Sequence, residues 1–132
     1  MKLELSSGQS RDNPTEADIA AAIRDDDNEF VFLEGEGGCH LYASRQRGGT
    51  FYVERCDEED AFGMPRRRRA AELQPAEKLI ELLTMYNRGD ESYRTAVEWD
   101  DVTREMGRGC AGVLILVAAG TALAAGVAAW LA

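Results

Sequence analysis

Residues 110 to 132 carry no charged side chain: of these 23 residues, 19 are apolar, 3 are glycine and 1 is threonine. No other feature of the chain restricts its folding so strongly. As a helix rising about 1.5 Å per residue, the segment spans roughly 34 Å, against a hydrocarbon core of about 30 Å. A helix satisfies its own backbone polar groups in lipid, and Trp130 falls where an amphipathic ring meets the far interface. The competing reading is a buried core helix, but the preceding 109 residues, which hold all 15 basic and all 24 acidic residues, offer too little apolar surface to wrap it. The expectation is a single C-terminal transmembrane helix, a tail anchor over 110–132. Arg104 and Arg108 stand beside it, and the positive-inside rule then places the rest of the chain in the cytoplasm, at a bacterial inner membrane crossed once. Ala118, Ala122 and Gly126 recur at spacing four, a small-residue stripe that permits anchor packing and a homo-oligomer.

The remainder divides into a domain over 1–99 and a polar connector over 100–109. Lys2 to Ser6 alternates as a first strand. Asn13-Pro14-Thr15-Glu16 combines an Asn N-cap, a proline at the first helical position and a glutamate at the third, predicting a helix over 14–25. Three runs rich in aromatic and β-branched residues follow, over 29–33, 39–45 and 50–56, punctuated by glycines in the manner of an antiparallel meander. A weaker strand is expected over 66–71. Pro75 opens a second helix striped by Ala76, Leu79, Ile80, Leu83 and Tyr86 and closed by Gly89. Residues 92–99 return as an extended segment. The predicted fold class is α+β: an antiparallel sheet of about four strands covered by two helices, followed by the transmembrane helix.

Catalytic and metal chemistry find little support. If Gly48 lies at a hairpin tip, residues whose numbers sum to about 95 face one another, so Cys39 meets Cys56 and His40 points to the other face, opposite Arg55. No CxxC pair occurs, and His40 is the single histidine; neither a zinc site nor a Cys–His nucleophile is expected. A disulfide between Cys39 and Cys56 is disfavoured in a cytoplasmic domain. No GxSxG or phosphate-loop pattern is present. No enzyme activity and no cofactor are expected.

The charge pattern is more distinctive. Asp57, Glu58, Glu59 and Asp60 are followed, after Ala61-Phe62-Gly63-Met64-Pro65, by Arg66, Arg67, Arg68 and Arg69. Four arginines in a row suit anionic lipid headgroups beside an anchor. A net charge of −9 argues against nucleic acid. The two runs also neutralise each other if they lie across a loop. Both are candidate contact residues for a partner or for lipid, and the acidic surface favours a basic protein partner.

From Pro75 to Trp99 the order is a striped helix, Gly89 and then Val97-Glu98-Trp99. Before it stand Phe30 to Glu34 (FVFLE) and Tyr52 to Arg55 (YVER). This pattern resembles the small bacterial Imm1-like immunity proteins, over about residues 15–100. The resemblance implies a non-enzymatic inhibitor that binds a secreted toxin. The leading expectation is a tail-anchored protein whose cytoplasmic domain binds a partner protein, as an immunity protein does. The alternative is a membrane-associated signalling or defence module that senses a ligand or lipid and oligomerises through its anchor.

Overall fold

A computed structural model of the protein describes residues 1–103, within which Met1–Asp101 form one compact unit. Its strands are β1 (Lys2–Leu5), β2 (Ser10–Asp12), β3 (Phe30–Glu34), β4 (His40–Arg45), β5 (Thr50–Glu59), β6 (Pro65–Ala70), β7 (Gln74–Pro75) and β8 (Trp99–Asp101). Its helices are α1 (Glu16–Arg24), α2 (Ala76–Arg88) and the short α3 (Tyr93–Ala96). All pairings are antiparallel, in the order β2-β1-β3-β4-β5-β6-β8, with β7 added beside the start of β5.

The predicted sheet of about four strands under two helices is therefore corrected, among the described residues, to eight strands in one sheet, with α1, α2 and the single turn of α3. Three of the strands, β2, β7 and β8, have little sequence signal. They are two or three residues long and exist because a neighbouring strand supplies hydrogen-bond partners. β8 takes in Asp100 and Asp101, where a polar connector is expected. The predicted transmembrane helix over 110–132, with Ala118, Ala122 and Gly126, lies outside the described residues, as does Cys110. Among the described residues, no helix is long and apolar enough to cross a membrane.

Local chemistry also shifts element boundaries. Thr15, not Asn13, caps α1: its Oγ1 accepts the Asp18 N–H at 3.1 Å, and the Asp18 carboxylate accepts the Thr15 N–H at 2.8 Å. This reciprocal box satisfies two of the helix's orphan donors. Asn13 takes a left-handed φ of 51° instead and donates its N–H to Met1 O at 2.8 Å, sealing the end of the β1–β2 hairpin. α2 begins one residue after Pro75, which sits on β7 opposite Thr50. It ends as expected at Gly89, left-handed at φ 77°, whose N–H reaches Tyr86 O at 3.1 Å. The 92–99 segment coils into α3 before it extends.

The β4–β5 register pairs residues summing to 96: His40 lies opposite Cys56, and Leu41 opposite Arg55. The expected opposition of Cys39 with Cys56 is thus off by one residue, because Gly48 stands at the centre of a connection whose closing bond runs from Gln46 N–H to Thr50 O at 2.8 Å. A slip of one residue reverses which face each side chain occupies. It puts Leu41, Ala43, Phe51 and Val53 on the helix-covered face, with Leu3, Val31 and Leu33. There they pack against Ile19 and Ile23 of α1 and Leu79, Leu82 and Leu83 of α2.

Leu83 is fully buried at the centre of this layer. Leu83→Ala is expected to lower the unfolding free energy by about 2–5 kcal/mol, read as a reduced urea midpoint at unchanged m-value.

Candidate functional site

β5 is the longest strand, and its length creates the most distinctive surface of the unit. Its pairing with β4 ends at Cys56, while on the other side β8 reaches only Arg68 of β6. Beyond those points, residues 57–67 form a two-stranded arm bonded to itself through Glu58↔Arg66 and Glu59↔Pro65. At about 3.3 Å per residue, the arm carries its turn roughly 10 Å past the rest of the sheet. Within the arm Glu58 of β5 lies across from Arg66 of β6, an opposite-charge pair that favours the extended ladder, while Glu59 lies across from Pro65.

The base of the arm is a buried polar network. Arg55 and Asp57 have side chains only 5% and 4% exposed and meet at 2.7 Å. The same Arg55 nitrogen reaches Glu58 at 2.8 Å, and Glu58 also takes Arg68 at 3.4 Å. Tyr93 of α3 donates its hydroxyl hydrogen to Asp57, and Arg94 lies 3.3 Å from the same carboxylate oxygen. The Arg55 guanidinium stacks 5.0 Å from the ring centroid of Trp99, whose indole N–H donates to Tyr93 O at 3.0 Å. Burial pushes the Tyr93 hydroxyl up to about 12, and its bond to Asp57 acts in the same direction. The hydrogen bond from Arg55 holds the Glu58 carboxyl below the usual carboxylate range.

These contacts account for most of the candidate contact residues. Arg66 pairs with Asp101 at 2.8 Å, Arg67 with Glu54 at 2.9 Å in the interior, and Arg68 with Glu58. Because side chains alternate along a strand, Arg66 and Arg68 share the helix side with Arg55, while Arg67 and Arg69 occupy the opposite side. Consecutive arginines therefore do not form one basic patch. Asp57 and Glu58 are drawn into the base network, and of the acidic run Glu59 is exposed. Asp60 organises the turn: its Oδ1 accepts the N–H groups of Phe62 and Met64 at 2.8 and 3.0 Å, and its own N–H reaches Met64 O at 2.9 Å. Those donors lower the Asp60 pKa, and Gly63 closes the turn at φ 78°.

The residues missed in sequence are those the turn displays. Phe62 is 89% exposed and Met64 is 60% exposed. Both read as spacer between two charge runs. The available signal was a large aromatic residue in a short loop between two strongly paired charged segments, where no core lies within reach.

On the other side of the sheet, His40 is buried and stacks on Phe32 at a centroid distance of 4.6 Å, with its Nδ1 3.0 Å from Gly38 O. Burial lowers its pKa. Cys39, outside β4, and Cys56 are both partly buried thiols. Among the described residues, no three His, Cys, Asp or Glu side chains are grouped to hold a metal ion. No family model, curated protein or solved structure matches the chain.

Two measurements check this electrostatic design. Removing Asp57 leaves Arg55 with a weakened counter-charge in the interior, so Asp57→Ala is expected to cost about 3–5 kcal/mol in urea unfolding. The pH profile should show two acid-side losses. His40 has a folded pKa below its ordinary 6.5, so the unfolded chain takes up the proton first and stability declines as pH falls below about 6.5. Glu58, also depressed, contributes stability above its ordinary 4.5 that is lost as pH drops further. His40→Gln should remove the first decline and Glu58→Gln reduce the second, both followed by thermal unfolding from pH 8 to 3.

Proposed function

We propose that this chain is a membrane-tethered protein-binding module whose docking element is the β5–β6 arm. The observation that carries this reading is the display of Phe62 and Met64 on a turn made rigid by Asp60. A large aromatic side chain left in water is unfavourable by about 25 cal/mol for each Å² of apolar surface a partner would cover. Holding it in one backbone conformation lowers the entropy lost when a partner closes over it. Aromatic anchors inserted into a complementary pocket are the usual source of interface energy.

The surroundings define the partner's chemistry. Glu59 and Asp60 flank the tip, and the chain carries a net charge of −9. The arginines behind the tip are engaged by Asp101, Glu54 and Glu58. The complementary surface is accordingly an apolar pocket with a basic rim, and long-range attraction would speed its capture. An acidic inhibitor that occupies a basic toxin would have this character, in keeping with the resemblance to immunity proteins. The apolar run over 110–132 is the proposed tether, and Arg104 and Arg108 the residues that keep the binding domain on the cytoplasmic side of a bacterial inner membrane.

A photo-crosslinking residue at Ala61, within the turn, tests the reading in cells expressing the full chain. The expected adduct is with a basic protein, and Phe62→Ser with Met64→Ser should weaken that binding about 100-fold or more. Stability should stay within about 0.5 kcal/mol, as for other exposed positions. Equal capture by the native and substituted arms would refute the proposal, and adducts with lipid alone would favour the membrane-sensing alternative.

A further inference from the structure

The arm carries a chemical sensitivity that its docking role does not require. Met64 leaves 60% of its surface in solvent, on the same turn as Phe62. A methionine thioether is oxidised by peroxides to a sulfoxide, and access to the sulfur decides which methionine reacts first. The other described methionines are better shielded. Met85 is 8% exposed and belongs to the apolar layer. Met1 is 38% exposed, but its thioether is packed against the chain: a Cβ added at Gly35 would meet both Met1 Sδ and Tyr86 Oη at 3.3 Å.

The turn confines the consequence of oxidation to the side chain. Asp60 Oδ1 accepts the Met64 N–H at 3.0 Å, and the Asp60 N–H donates to Met64 O at 2.9 Å, so the backbone of residue 64 is held from both sides. Pro65 follows at the start of β6 with its φ fixed by the ring. A side chain this exposed adds little to the stability of the fold, and its oxidation leaves the arm standing. What changes is the surface. A flexible apolar group becomes a polar one with a strong S=O acceptor, beside the exposed Phe62 ring. A partner that covers both residues must then strip water from that oxygen, which costs affinity unless a donor meets it.

We propose that Met64 is a reversible oxidation site through which a peroxide releases the arm from its partner, an inference that rests on the docking role of Phe62 and Met64. A lone pair on the Met64 sulfur attacks one oxygen of hydrogen peroxide, the O–O bond breaks, and the products are the sulfoxide and water. The sulfur loses two electrons and the peroxide gains them. A dithiol-dependent sulfoxide reductase reverses the step: the sulfoxide oxygen leaves as water and the dithiol becomes a disulfide.

The test has two stages. Limiting hydrogen peroxide added to the purified full chain in detergent should convert Met64 before Met1 and Met85, read by mass spectrometry of the digest, with the thermal midpoint unchanged. In cells carrying the photo-crosslinking residue at Ala61, a peroxide pulse that oxidises part of the population then sets oxidised and native arms in competition. Among crosslinked chains, Met64 sulfoxide should be depleted about tenfold relative to uncrosslinked chains of the same sample, as expected when one unmatched polar group is buried. Membranes from pulsed cells should regain capture after treatment with a sulfoxide reductase and dithiothreitol. Met64→Gln, polar at that position permanently, should capture about tenfold less and not respond to peroxide. Oxidation of Met1 or Met85 as fast as Met64, a lowered midpoint, or equal sulfoxide content in crosslinked and uncrosslinked chains would each overturn the inference and leave the docking reading intact. If Ala61 captures no protein in untreated cells, the docking reading falls and this inference with it.

Discussion

The Arg55–Asp57 pair is the interaction on which the unusual half of this fold depends. Both side chains are almost fully buried, and neither charge is tolerable there alone: an isolated ion transferred to the interior costs far more than any single packing contact returns. The pair is sustained by what surrounds it. Glu58 shares Arg55, Arg68 shares Glu58, Tyr93 and Arg94 converge on Asp57, and Trp99 covers the guanidinium. Through these contacts one point on β5 holds α3, β6 and β8 in position. The pairing with β6 shifts register between Arg55 and Glu58, where the extra residue re-aims the strand and lets the arm depart from the sheet.

The network is not a simple source of stability. The Nε–H groups of Arg55 and Arg68 are buried without an acceptor among the described residues, an arrangement that an apolar cluster of similar volume would avoid. The apolar layer between the sheet and α1 and α2 supplies the folding energy, and the polar network supplies position. Its consequence is a stiff base under a hairpin whose two edges have no neighbouring strand among the described residues. A turn knotted by Asp60 then presents Phe62 and Met64 at a defined point in space.

Much of the fold was legible in sequence wherever one face is buried at a regular period. The stripe of α2 and its Gly89 stop, the apolar alternation of β3, β4 and β5, and the existence of α1 all follow from that rule. The short strands did not follow, because Ser10 to Asp12, Gln74 to Pro75 and Trp99 to Asp101 are extended by their neighbours rather than by their own preferences. The cap of α1 was misplaced by two residues because Asn13 and Thr15 are both good caps, and the choice went to the one whose box partner, Asp18, closes the reciprocal bond. The candidate site was legible as a charge pattern but not as a surface. Arginines that are consecutive in sequence alternate between two faces in a strand, so a basic run became a set of internal ion pairs, and the apolar spacer between the runs became the exposed part.

By itself, the sequence determined the division between an acidic, charge-bearing region and a charge-free apolar segment, since composition alone sets which environment each can occupy. It also determined the main helices and central strands, whose periodicity is a local property. Tertiary structure decided which charges meet, because pairing across a sheet depends on register and on a bulge that no local pattern specifies. It likewise decided that Phe62 would be left in solvent, since whether a side chain is covered depends on every element that packs around it.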